Sequence, residues 1–576
     1  MRRGLFLIGT SMLLSMTIGV TTSNYAAPPI NSVHDGLIIP GGTYYNTSNS
    51  STKFINSGSG GLWLQGGSTV RGLEVNTHGD LTNNGGAIQL FTPGQVVRVD
   101  GNIDVNATVD GRGAYVGDGG KVLVNAAYLF QNGNITGLGV RGGHVTVNVN
   151  SATFGPQSKI DVNGSPDGIG GTIRINATGV VDIKNGALLN TTGVPLPGVD
   201  SNVIEIIGPM VNNEGKIVAD GVRSNLNQNF KTSDGGTIRL VATGNLNLKP
   251  VTQALATSKA LTETERHDVS GRLQWLANTQ NGNIRNAGII RANGGEIDIL
   301  PYVFGGGGGR IFLSASKQIL NQSSGSITAN GGNFGRTGGN GGQISLISGS
   351  GRYTQNDGSI EANGGLGADV PSGGLGGNGG SIRAVNVSNT GVINALGGIE
   401  FGIDGGTGGA GGNIKMVNLI NSGDIGLRGG GASGDYNAQG GNGGHFQAVN
   451  VTGAGFIDAS GGYGYGDGAS YGGNGGRVDI TNASISQSGG ILSYGGAGKG
   501  GGNGGIITFI NVKNAGAIIA RGGSTFPEFG TSLPGGNGGM IKAIHAVSID
   551  PALVSASGGQ GSNGGPDGSD GVIIGF

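Results

Sequence analysis

Gly376-Gly377-Asn378-Gly379-Gly380-Ser381-Ile382-Arg383-Ala384-Val385-Asn386 opens a unit to which the chain keeps returning. Its first five residues recur with the leading glycine at Gly338, Gly440, Gly472, Gly501 and Gly535, and as Gly-Gly-Ala-Gly-Gly at Gly408. The successive spacings are 38, 32, 32, 32, 29 and 34 residues, the signature of a repeat architecture. After each pentapeptide an apolar column (Ile344, Ile382, Ile414, Phe446, Val478, Ile507, Ile541) and a second one two residues later (Leu346, Ala384, Met416, Ala448, Ile480, Phe509, Ala543) flank a polar one. Alternation with period two predicts a strand. A second short strand follows in every unit, with Ile360, Ile393, Ile425, Ile457, Ile491, Ile518 and Val554 in line and mostly small residues two places on. That small column implies that two walls approach closely, and the variable Gly-rich tail behind it reads as an outside loop.

Ten residues after each leading glycine stand Asn386, Asn418, Asn450, Asn482 and Asn511, with Ser348 before them and His545 after. If the units stack as parallel strands about 4.8 Å apart, these amides hydrogen-bond along the stack as asparagine ladders do. Asn also favours turns because it tolerates left-handed backbone, which accounts for the residue type but less well for its fixed register. The asparagine inside the pentapeptide reads as ordinary loop chemistry. The expected fold is therefore all-β, a single-stranded parallel β-helix.

Gly is 129 of 576 residues, charged residues are 12%, and the net charge is −1. Such a balance argues against nucleic acid or an anionic membrane as partner. Arg2 and Arg3 precede an apolar run from Leu5 to Val20 and then small residues up to Ala27, the layout of a secretory signal peptide over residues 1–27. Gly9, Thr10, Ser11, Ser15, Thr17 and Gly19 make that run a poor membrane anchor. With no later apolar span, the expectation is an exported chain without an integral membrane segment. It contains no cysteine, hence no disulfide, so strand pairing and a narrow core must hold it together.

Residues 28–248 show the same grammar less regularly. Strand-like runs follow glycine pairs at Gly119-Gly120, Gly142-Gly143, Gly170-Gly171 and Gly235-Gly236, and a cap is expected around Leu37 to Leu73. Residues 249–282 interrupt the pattern. Lys249 to Ser270 lacks glycine until Gly271 and is rich in helix formers, with Leu255, Lys259 and Glu263 spaced to share one helical face. This segment reads either as a partner-binding knob or as a cover over a seam between the two halves, the second of which spans residues 283–576.

The pattern Gly-Gly-x-Ile-x-Ile then Gly-x-Ile-x-Ala-x-Gly-Gly, as in Arg310-Ile311-Phe312-Leu313 and Ser326-Ile327-Thr328-Ala329, resembles filamentous-haemagglutinin-type bacterial surface proteins. The resemblance implies a right-handed parallel β-helix, secretion to the cell surface and an adhesin or matrix role. It also implies an outer-membrane transporter as export partner, although the Asn-Pro-Asn-Gly and Asn-Pro-Asn-Leu signatures of two-partner secretion are absent.

Chemistry is sparse. His34, His78, His144, His267, His445 and His545 have no metal-ligand spacing and read as solvated surface residues. No glycine string ends in the Lys-Ser/Thr of a phosphate loop, and the near matches to calcium repeats place Asp467 and Asp570 one position late. No metal, cofactor or catalytic residue is expected. A polysaccharide lyase or hydrolase is the alternative reading, but it needs clustered carboxylates, and Glu361 and Asp458 fall three rungs apart. Function is assigned instead to variable loops, where Tyr436, Tyr463, Tyr465, Tyr471, Phe526 and Phe529 are candidates to stack on surface glycans or touch host or neighbour-cell receptors.

Overall fold

The computed structural model describes the chain from residue 84 to residue 576, apart from residues 111, 113, 197–199, 223–231, 297–303, 369–372, 403, 487, 514–515, 527–532 and 548, together with the backbone of six strands between residues 31 and 74. The signal segment expected at residues 1–27 and the candidate Phe529 lie outside the described residues.

Each turn of the chain begins with a strand such as Ser381–Asn389, turns, and continues into a short strand such as Val392–Asn394 before glycine-rich chain leads back to the next turn. Ile344, Ile382, Ile414, Phe446, Val478, Ile507 and Ile541 pair in one parallel register. Ile360, Ile393, Ile425, Ile457, Ile491, Ile518 and Val554 do so on the second strand. All but Val554, which is partly buried, are shielded from solvent because alternate side chains point into the space between the two stacks. The result is an all-β parallel solenoid of about 14 turns. At the spacing of paired strands this makes a rod roughly 65 Å long.

The halves form one stack. Val122, Val145, Ile173, Ile204, Ile238 and Ile311 lead register by register to Ile344. The rung at Val203–Gly208 has no glycine pair before it and is not evident from the sequence; Asn202, with φ of 52°, takes the place of the glycine. The stretch expected to hold a cap contributes further strands, for Leu37–Ile39 pairs with Leu62–Leu64 and that in turn with Val97–Val99.

The glycines close the rung. Gly398 N–H donates to Gly377 O (2.7 Å), Gly409 to Gly398 (2.9 Å), Gly430 to Gly409 (2.7 Å) and Gly441 to Gly430 (2.8 Å), a zigzag between the pentapeptides and the closing glycine pairs. A Cβ on Gly409 would stand 1.9 Å from Gly377 O, so no other residue fits. The Gly-rich tails, expected as loops, also stack: Glu400–Phe401, Ala432–Ser433 and Gly464–Tyr465 pair in parallel.

The glycine-free segment forms helix α1 (Lys249–Thr257) and helix α2 (Glu263–Gln280). They are separate because the chain turns extended at Ser258 and Thr262 caps α2 reciprocally with Glu265. Lys259 and Glu263 thus share no helical face with Leu255. The hairpin is inserted between strands Thr237–Ala242 and Ile284–Asn286, at the corner where Asn386 stands in later rungs. It does not cover a seam. Val251, Ala254, Leu255, Leu261, Val269, Leu273 and Leu276 pack on Val96, Ala127, Tyr128, Val180 and Met210, along the corner of the earlier rungs.

Charge pairs hold the hairpin down. Arg272 donates Nε and Nη2 to the buried Asp182 carboxylate (3.1 and 3.2 Å) and also reaches Glu214 Oε1 (2.9 Å), which Arg285 shares (2.7 Å). Arg98 bonds Glu265 (2.7 Å) and the Ala260 carbonyl (3.1 Å). Burial alone would push the Glu214 carboxyl up, but hydrogen bonds from Arg272 and Arg285 outweigh it and hold the group below its ordinary value. Burial likewise acts against ionised Glu265, and the Thr262 N–H and Arg98 more than offset it.

Three tests follow from this packing. Because both carboxyls have folded pKa values below their unfolded ones, their contribution is complete above the unfolded value and is lost as pH falls through the folded one. Acidification below about pH 4.5 should therefore release the hairpin before the rod unfolds, seen as a change in Trp275 fluorescence that precedes loss of the β-sheet circular dichroism signal; a single coincident transition would contradict this. Gly271, exposed in α2 with nothing within 4 Å of a built Cβ, should stabilise the hairpin by about 1 kcal/mol as Gly271→Ala. Gly409→Ala should instead reduce stability by several-fold more than that in urea denaturation, since backbone must move to admit the methyl.

Candidate functional site

Asparagines run along the rod in four columns. The outer column is the expected one: Asn418 Nδ2 donates to Asn386 Oδ1 (2.7 Å), Asn450 to Asn418 (2.7 Å), Asn482 to Asn450 (2.9 Å) and Asn511 to Asn482 (3.0 Å). All five, and His545 after them, have φ between 55° and 58°. Ladder and left-handed turn are therefore one feature, because Asn tolerates the bend that aims its amide along the stack. Ser348 is not part of it; a longer corner in that rung puts Tyr353 in line with Asn386.

Three residues further on, an inner column is buried: Asn213, Asn286, Asn321, Asn356, Asn389 and Asn421 are linked by Nδ2-to-Oδ1 bonds of 2.7 to 2.8 Å. The irregular spacing of these rungs hid it in the sequence. The other two columns lie in Asn-Gly dipeptides, one of them the pentapeptide asparagine that looked like plain loop chemistry. There Asn340 Oδ1 accepts from Asn378 N–H (2.9 Å) while Gly341 N–H donates to Asn378 O (2.8 Å), so one residue of the next rung clamps both.

The corner column has two environments. In register along it stand Val96, Tyr128, Ser151, Val180 and Met210 under the helical hairpin, and later Asn386 to Asn511 in the open. Burial pushes the Tyr128 phenol well above its ordinary pKa. Beyond the hairpin the corner is a groove of about 520 Å³ lined by Asn450, Asn482, Asn511, Thr452, Ser484 and Lys513, among others. Beside it runs a row in register, exposed at Ile347, Val385, Val449, Ile510 and Ile544 and half-buried at Val417 and Thr481.

The candidate loop aromatics are dispersed over the outer lobe. Tyr465 and Phe526 meet edge to face, ring centroids 5.7 Å apart. Phe401, Ser433 and Tyr465 share one register, and Phe401 is a neighbour that the sequence reading passed over. Tyr463 lies across Gly431 and Tyr471 across Gly500, contacts that a side chain in place of either glycine would block. Tyr436, the most exposed at 59%, has no ring partner among the described residues.

Carboxylates are spread out. Glu361 and Asp458 are separated by Asn394 and Gly426, three rungs, which is roughly 14 Å. Asp182 and Glu214 do come together, but as anchors for Arg272. His445 is not merely solvated: Nε2 lies 2.9 Å from Asp479 Oδ2, which Arg477 also holds. Burial opposes ionised Asp479, and hydrogen bonds from Arg477 and His445 outweigh it, keeping its carboxyl low. His144 is held below its usual value, first by burial and then by Lys121 and Arg174. Among the described residues no three His, Asp or Glu side chains are placed to share a metal ion, and no helix is long and apolar enough to cross a membrane.

These stacked rungs place the chain in the class of parallel β-solenoids. No protein-family model, curated protein or solved structure matches it.

The two side-chain ladders differ in what an alanine leaves behind. Asn356→Ala strands two buried amides and should cost on the order of 3 kcal/mol. Asn450→Ala, in the exposed ladder, should cost about 1–2 kcal/mol, most of it for placing an ordinary residue in left-handed backbone, and Asn450→Gly, which loses the amide but not the bend, should cost about 1 kcal/mol or less. Urea midpoints of the three variants test this order.

Proposed function

We propose that the protein is an exported, cell-surface or extracellular solenoid of the filamentous-haemagglutinin type, acting through its surface as an adhesin or matrix component. The observation that carries this reading is the row on the outer lobe in which Phe401, Ser433 and Tyr465 align and Phe526 packs against Tyr465. The exposed rings of Phe401 and Tyr465, held by short strands on a rigid stack, offer flat apolar faces at low entropic cost to a sugar ring or a receptor side chain. The low charge of the chain suits a neutral glycan better than a strongly charged partner.

A glycan array and a cell-binding assay on the mature chain test this. Binding that falls at least about tenfold, roughly 1.4 kcal/mol, in a Tyr465→Ala/Phe526→Ala variant of unchanged circular dichroism supports the reading. Equal binding by the variant removes the lobe from the site. Release of unsaturated uronate from polysaccharides would assign a lyase instead.

A further inference from the structure

Fifteen Asn-Gly dipeptides occur in the chain. In an unfolded peptide this is the pair most prone to lose ammonia: the glycine nitrogen attacks the asparagine Cγ, the amide nitrogen leaves as ammonia, and water opens the cyclic imide to aspartate or isoaspartate. The attack requires a glycine N–H that is free to turn and lose its proton. It also requires the carboxamide to swing toward that nitrogen.

In nine dipeptides, beginning at Asn293, Asn330, Asn340, Asn363, Asn378, Asn442, Asn474, Asn503 and Asn537, both conditions fail. The asparagine Oδ1 accepts from the N–H of one residue in the next rung at 2.7 to 3.0 Å. The following glycine N–H donates to the carbonyl of that same residue at 2.8 Å. Four further glycines, Gly85, Gly133, Gly164 and Gly282, also give their N–H to a carbonyl elsewhere in the stack. Of the remaining two, Asn563 is engaged in an interaction of its own. Asn185-Gly186 differs from all of these: it occupies the central positions of an exposed turn closed by Ala187 N–H to Lys184 O (3.0 Å). Gly186, with φ of 96°, makes no N–H hydrogen bond among the described residues.

We propose that Asn185 is a modification site at which the folded protein converts asparagine to aspartate and isoaspartate, with water as the only co-reactant, while the stacked Asn-Gly pairs are protected. Protection demands local opening of a rung, and opening against a cost of about 1.4 kcal/mol or more slows a reaction at least about tenfold. The inference is independent of the functional reading above. It does explain how a chain of this kind can carry Asn-Gly in nearly every repeat and keep it intact.

Incubation of the full-length folded protein at mildly alkaline pH, followed by peptide mapping by mass spectrometry, tests it. The exchange of amide for acid should accumulate at Asn185 at least about tenfold faster than at the nine clamped positions. The same protein in concentrated urea should show the difference between positions collapse. Equal rates in the folded state, or an intact Asn185 when clamped asparagines have reacted, would overturn the proposal.

Discussion

Everything in this rod rests on the distance between successive turns of backbone. Parallel strands fix that distance, and each rung inherits its register from the one below through main-chain hydrogen bonds. The glycine walls carry the constraint furthest, since Gly377, Gly398, Gly409 and Gly430 are bonded to one another across the rung with no room for a methyl between them. A composition that is more than a fifth glycine is therefore the consequence of backbone packing against backbone. Flexibility does not explain it.

Once the rung spacing is set, polar side chains can satisfy each other along the axis instead of across the core. Asparagine suits this geometry because its amide both donates and accepts. Where the column is buried, as at Asn286 to Asn421, the ladder lets amides sit inside at little cost. At the corner it lets them sit at a left-handed bend. In the Asn-Gly columns it ties side chain and main chain of one rung to a single residue of the next.

The corner shows two solutions to one problem. Early rungs carry Tyr128, Val180 and Met210 there, which must be covered, and the chain supplies α1 and α2 to do so. Later rungs carry asparagines that need no cover. The hairpin is held by apolar burial and by Arg98 and Arg272 pairing with carboxylates on both elements. Asp182 is fully buried, so its pairing with Arg272 is a condition of docking more than a net source of stability.

The repeat, its two strands, the inward columns and the Asn386 to Asn511 ladder were legible in the sequence, because period-two alternation and a constant offset from Gly-Gly-Asn-Gly-Gly are local properties that stacking merely copies from rung to rung. The inner ladder from Asn213 to Asn421, the rung begun by Asn202, the meeting of Tyr465 with Phe526 and the landing place of the hairpin were decided only by the tertiary structure. In each of these, the partners are brought together by variable loops or by an insertion that folds back over earlier rungs. Neither leaves a fixed spacing along the chain, so only the three-dimensional stack reveals which residues lie side by side.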